Sequence, residues 1–109
     1  MQGKVLDLEH IIRQMARRIA EQFRPERIIL FGSLAKGDWT SDSDIDLLVI
    51  VRELKNRRAL QAAIKRTVNG MGLPKDIVVL TKEEFEMKRS IPGTIAYPAD
   101  KEGRLLYAS

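Results

Sequence analysis

Residues 44–51 read Asp-Ile-Asp-Leu-Leu-Val-Ile-Val, and this stretch limits the fold more than any other. A strand turns successive side chains to opposite faces, so five consecutive aliphatic residues after Asp46 require cover on both sides. Arg27–Phe31 and Asp76–Leu80 are shorter runs of the same kind. Segments with helical spacing precede the first run and separate the last two. Alternation of buried strands with amphipathic helices specifies an α/β fold, a small mixed β-sheet flanked by α-helices. A chain of 109 residues is read as one domain over 1–109, with a radius of gyration of roughly 13 Å.

The helices follow from periodicity. Leu8, Ile11, Ile12, Met15, Ala16, Ile19, Ala20 and Phe23 recur at i, i+3/i+4, which predicts a helix with Asp7 as its N-cap and Pro25 as its stop. Leu54 to Val68 is a basic helix with Leu60, Ala63, Ile64 and Val68 inward, ended by Asn69-Gly70-Met71-Gly72 and Pro74. Thr81-Lys82-Glu83-Glu84 is a capping-box pattern that opens a short helix with Phe85 and Met87 inward. Ile91 to Lys101 is helical in pattern but interrupted by Pro92, Gly93 and Pro98. Arg104-Leu105-Leu106-Tyr107 after Gly103 reads as a last short strand.

Charge is arranged in blocks. Residues 37–50 carry four acidic side chains, Asp38, Asp42, Asp44 and Asp46, and no basic one. Residues 51–75 carry seven basic against one acidic. A nucleic-acid binder would show one basic stripe interleaved with aromatics. Here the nearest aromatic, Trp39, lies on the acidic side, so nucleic acid is not expected as a direct ligand. Absence of cysteine excludes disulfides, thiol nucleophiles and thiolate metal sites. No apolar run approaches the roughly 20 residues of a membrane span, and the first residues lack a signal-peptide core. The expectation is a soluble cytoplasmic protein.

Asp44 and Asp46, two apart, project to one face of their strand. Alone, such a pair reads as a turn cap and an ion-pair partner. Asp76 alters that reading because it opens the next strand as Asp44 opens the previous one, with one helix between. A strand–helix–strand crossover makes the two strands parallel neighbours, so all three carboxylates meet at one sheet edge. Clustered acids without cations repel strongly unless a metal joins them. Gly32-Ser33 supplies the complementary half. A first strand antiparallel to the second delivers this turn to the same edge, where glycine allows close backbone approach and the following N–H groups and the Ser33 hydroxyl would bind phosphate. Lys36, one turn on, would add a point charge.

Gly32-Ser33, ten residues, then Asp44-Ile45-Asp46 resembles the signature of the DNA polymerase beta-like nucleotidyltransferase superfamily. Average residue usage would give that spacing by chance in on the order of a few chains per thousand. The longer string GSLAKGDWTSDSDIDLLVIV looks like the minimal nucleotidyltransferases, the antitoxins of HEPN–MNT toxin–antitoxin pairs. Lys36 stands where that pattern usually has arginine, which keeps the charge and loses the bidentate fork. The resemblance runs from about residue 8 to Tyr107. It implies that Asp44, Asp46 and Asp76 are catalytic and hold two Mg²⁺ ions, with Asp76 activating an acceptor hydroxyl. It implies that Gly32, Ser33, Lys36, Asp44 and Asp46 bind ATP, and that AMP passes to a hydroxyl of a cognate HEPN toxin.

Two alternatives stand beside that reading. A small-molecule, antibiotic-type adenylyltransferase would use the same nucleotide chemistry, but its relatives carry a helical acceptor domain that 109 residues do not accommodate. An antitoxin that neutralises by binding alone would need no turnover. Homo-oligomerisation is compatible with all three. His10 is read as a surface residue, Tyr97 and Tyr107 as core or interface, and the basic 52–66 face as solvated.

Overall fold

The computed structural model describes residues 3–37, 40, 43–71 and 75–109, with 3–7 as backbone alone. Asp38, Trp39, Asp42, Gly72 and Pro74, to which the sequence assigns roles, lie outside the described residues. The order is α1 (Gly3–Phe23), β1 (Arg27–Phe31), α2 (Ser33–Lys36), β2 (Ile45–Val51), α3 (Arg57–Thr67), β3 (Lys75–Thr81), α4 (Lys82–Lys88), α5 (Ala96–Glu102) and β4 (Arg104–Ala108). The strands form one sheet in the order β3-β2-β1-β4. The β2–β3 pair is parallel, joined by α3, and β1 runs antiparallel to both β2 and β4. The radius of gyration is 13.4 Å.

Period-2 alternation divides the aliphatic side chains between two cores. Ile45, Leu47, Val49 and Val51 of β2 join Ile28, Leu30, Ile77 and Val79 beneath α1 and α3, where Met15, Ile19, Ile64 and Val68 are also buried. Leu48, Ile50 and Ile29 point the other way, onto Phe85 of α4 and Ala96 and Ala99 of α5. Every aliphatic residue from Leu47 to Val51 is buried, as a strand covered on both faces requires. Asp46 and Asp76 belong by alternation to the α4–α5 face.

Several element boundaries and one side chain depart from the sequence expectations. α1 begins at Gly3 rather than after an Asp7 cap, because nothing in 3–7 stops a helix that the strongly periodic segment propagates backwards. α3 begins at Arg57, not Leu54, since the Asn56 side chain accepts the Ala59 N–H at 3.0 Å and sets the start. β3 takes in Lys75. Helix in 91–101 is confined to Ala96–Glu102, with Pro98 in the first turn, where a missing N–H costs nothing. Met87 is exposed rather than inward, because on one short helix it lies about 200° around from the buried Phe85. The Thr81–Glu84 capping box forms as expected, with bonds of 3.0 and 2.9 Å.

Candidate active site

Chain direction and register bring the candidate residues to one end of the sheet. β1 ends where β2 begins, with Phe31 opposite Asp46. β2 and β3 start together, with Asp46 opposite Asp76. Directly opposed residues share a face, so the Asp46 and Asp76 carboxylates emerge side by side. Asp44 lies one residue ahead of β2 and is exposed, as is Asp76, while Asp46 is partly buried. None of the three has an ion-pair partner among the described residues.

The glycine–serine turn presses against the middle carboxylate. Gly32 adopts φ 78° and ψ −159°, a region open essentially to glycine alone. A Cβ built on it would collide with the Asp46 carboxylate oxygen and lie 3.2 Å from Asp46 Cγ. Glycine is therefore required twice, for its backbone angle and for the approach of the turn to Asp46. From Gly32 the chain enters α2, one turn long, with Leu34 buried to anchor it and Gly37 in the left-handed conformation to end it. Lys36 is exposed in that turn. The first N–H groups of such a turn have no intrahelical acceptor.

Ser43 is a member of this site to which the sequence alone gives no role. The Ser33 hydroxyl donates to Ser43 Oγ at 3.1 Å, which also accepts the Thr40 N–H at 2.8 Å. The Ser43 N–H donates to the Thr40 carbonyl at 3.0 Å. Ser43 thus ties the glycine–serine turn to the residue immediately before Asp44. Its position directly ahead of the two carboxylates was the available signal. His10 is exposed on α1, remote in sequence and element from these residues.

Burial pushes the Asp46 carboxyl above the usual carboxylate range, and the Asp76 and Asp44 charges push it further. A folded-state pKa raised above the unfolded one means that ionising Asp46 costs folding free energy. That cost is absent below the unfolded pKa and grows as pH rises through the folded one. Asp46→Asn should therefore raise the melting temperature of metal-free protein at neutral pH, and its advantage over wild type should shrink as pH falls into the carboxylate range. Thermal melts of the two proteins at several pH values test this. A destabilised Asp46→Asn would make the carboxylate a structural support.

The donor set suits Mg²⁺ in one particular way. Among the described residues no three acidic or histidine side chains converge to hold an ion by themselves. Mg²⁺, however, is ordinarily held by one or two carboxylates plus phosphate oxygens rather than by an all-protein cage. Asp46 and Asp76, in register and without cationic partners, fit an ion that arrives with a nucleotide, and Asp44 is near enough to act on Asp46 through its charge.

Fold and site together define a class: small α/β proteins whose mixed sheet sets carboxylates against a glycine–serine turn at one end. The chain belongs to the nucleotidyltransferase domain family, whose profile matches residues 12–96. Two Methanocaldococcus jannaschii proteins, MJ0141 and MJ0604, both provisionally named protein adenylyltransferases, are 34% identical over 62 residues and 41% over 44. Those matches take in 55% and 38% of this chain and 63% and 44% of the relatives, less than two thirds of either. A provisionally named nucleotidyltransferase from Sulfolobus solfataricus superposes with a TM-score of 0.65 at 24% identity, covering 91% of this chain and 78% of that one. A mutant toxin–antitoxin complex, MntA–HpeT, gives 0.59 at 20% identity, covering 88% and 72%. A toxin–antitoxin solved with AMP-PNP gives 0.59 at 22%, covering 89% and 73%. At these identities the structural likeness establishes the fold. Among the described residues, no helix is long and apolar enough to cross a membrane.

Proposed function

We propose that this protein is an Mg²⁺-dependent adenylyltransferase that moves AMP from ATP to a hydroxyl of a partner protein, an HEPN-type toxin, and so acts as an antitoxin. One observation carries the reading: Asp46 and Asp76 stand in register on adjacent strands while the Gly32 backbone lies against Asp46. Carboxylates for a cation and a turn for phosphates are thereby within one ligand's reach. The toxin–antitoxin complexes of the same fold, one solved with AMP-PNP, support a protein partner and a nucleoside triphosphate.

The chain's residues divide the work. The Ser33 hydroxyl and the first N–H groups of α2 would hold the β- and γ-phosphates, with the exposed Lys36 ammonium adding charge. Asp44 and Asp46 would hold the nucleotide-associated Mg²⁺, and Asp46 with Asp76 the second ion. When bound, Mg²⁺ supplies Lewis-acid polarisation of the phosphoryl oxygens and neutralises charge on the departing pyrophosphate. Asp76, exposed at the head of the outer strand, would take the proton of the acceptor hydroxyl. The acceptor oxygen bonds to the α-phosphorus, the bond from that phosphorus to the bridging oxygen breaks, and pyrophosphate leaves in line.

Intact-mass spectra of the toxin after incubation with this protein and Mg-ATP test the reading. The toxin should gain mass in steps of one adenylyl group, and Asp46→Asn should block the gain while leaving the complex intact. No adduct with any nucleoside triphosphate, together with neutralisation that survives in the Asp variants, would make the protein a binding-only antitoxin. Adducts on a small hydroxyl compound instead would make it an antibiotic-type enzyme. Ser33→Ala should weaken Mg-ATP binding by about 1–3 kcal/mol, the range for a lost hydrogen bond to a charged group, without unfolding the chain. Calorimetric titration measures it, and wild-type affinity would remove Ser33 from the triphosphate site.

A further inference from the structure

Ser33 and Ser43 share a bond that either of them can donate. Their hydroxyl oxygens stand 3.1 Å apart and are partly buried. A serine hydroxyl has a single hydrogen and two acceptor lone pairs, and its hydrogen rotates to suit its surroundings. With Ser33 as donor, that hydrogen is spent on Ser43. The side of Ser33 left for a ligand then carries lone pairs alone, which repel a phosphate oxygen. With Ser43 as donor, the Ser33 hydrogen is released to point outward.

Ser43 is held in the way this reversal needs. Its N–H donates to the Thr40 carbonyl at 3.0 Å, and its Oγ accepts the Thr40 N–H at 2.8 Å. Backbone and side chain are thus both fixed by Thr40. The second bond fills one lone pair of Ser43 Oγ from a backbone donor, which cannot turn away as a hydroxyl can. A hydroxyl that accepts such a bond becomes a stronger donor itself, because hydrogen bonds in a chain polarise one another. Partial burial of the Ser33–Ser43 bond limits competition from water. Asp44 follows directly, so the fixed hydroxyl stands at the junction of the glycine–serine turn and the carboxylates.

We propose that Ser43 is a positioning residue for the phosphate turn, donating to Ser33 so that the Ser33 hydrogen faces the triphosphate. This role rests on the proposed function, in which the Ser33 hydroxyl holds the β- and γ-phosphates. The hydrogens then run one way, from the Thr40 N–H to Ser43, from Ser43 to Ser33, and from Ser33 to a phosphate oxygen. The last bond is charge-assisted, and each donor behind it strengthens it. Ser43 itself touches no reacting atom. A Ser33 hydroxyl oriented from behind also loses less freedom when the nucleotide arrives.

Calorimetric titration with Mg-ATP tests the role. Ser43→Ala should weaken binding about two- to tenfold, the scale of one neutral hydrogen bond. Ser43→Thr keeps the hydroxyl and should bind as wild type does. Ser43→Val, nearly the same shape without the hydroxyl, should match Ser43→Ala. Both are β-branched, so their comparison holds even where the melting temperature of each falls. A role exercised through Ser33 disappears with Ser33, so adding Ser43→Ala to Ser33→Ala should cost nothing further. A residue that merely braced the chain ahead of Asp44 would cost as much in either background. Ser43→Ala with wild-type affinity, equal affinities of Ser43→Thr and Ser43→Val, or losses that multiply in the double variant would each overturn the inference and leave the nucleotide site standing. Wild-type protein that fails to bind Mg-ATP would overturn the proposed function and the inference together.

Discussion

Gly32→Ala should lower the melting temperature by roughly 10 °C or more, and the loss should be partly recovered when Asp46 is also replaced by alanine. The first cost is in the backbone. At φ 78° and ψ −159° a residue with a Cβ is strained by about 1–3 kcal/mol. For a domain near 100 residues each kcal/mol moves the midpoint by roughly 4–8 °C. The second cost is steric, because the new methyl would meet the Asp46 carboxylate. Register fixes the Asp46 backbone against Phe31 and Asp76, so relief of the clash requires the carboxylate to turn away from Gly32. The two costs respond differently to the second mutation. Asp46→Ala removes the colliding oxygen and leaves the backbone strain, so the double variant should regain the steric part as a coupling of about 0.5–3 kcal/mol. A Gly32→Ala protein that melts with wild type, or a cycle with no coupling, would mean that the turn does not rest on Asp46.

What the sequence made legible was whatever depended on period and chain direction. The division of β2 between two cores follows from alternation, and the meeting of Asp46 with Asp76 follows from one helix joining two strands. The Thr81–Glu84 box was readable because its two bonds lie within four residues. Interactions that join separate turns were harder. Ser43 matters because its oxygen accepts from both Ser33 and Thr40, and no periodicity marks a hydroxyl as a junction. The capping of Val79 by Gln61 and Arg57 spans a crossover and left no pattern either. Met87 differs for a local reason: it is hydrophobic, but its helical angle sets it opposite the buried Phe85. The carboxylates were foreseen as a set of three, while the geometry gives them unequal settings. Asp46 is partly buried against the turn, and Asp44 and Asp76 are exposed.

That inequality separates the expected effects of the acids on catalysis. Asp76→Asn should cut kcat for partner adenylylation by about 10²–10⁴-fold, the range for loss of a positioned general base, with KM for Mg-ATP little changed. Asp76 is exposed and lies across Asp46 from β1 and its turn, on the outer strand, so under the proposed function its carboxylate would face an incoming acceptor more than the triphosphate. Asp46 is pressed on the turn that would hold the phosphates. Asp46→Asn should therefore raise KM for Mg-ATP and lower kcat together, because one side chain serves both binding and the reacting phosphorus. Binding isolates the difference: Mg-ATP should still raise the melting temperature of Asp76→Asn by mass action, and should largely fail to do so for Asp46→Asn. EDTA should abolish the gain in wild type and in Asp76→Asn alike. If Asp76→Asn instead loses Mg-ATP binding with its kcat intact at saturation, the acceptor-side role passes to another group. Equal losses from both variants in both constants would assign the two carboxylates one shared task in holding the nucleotide.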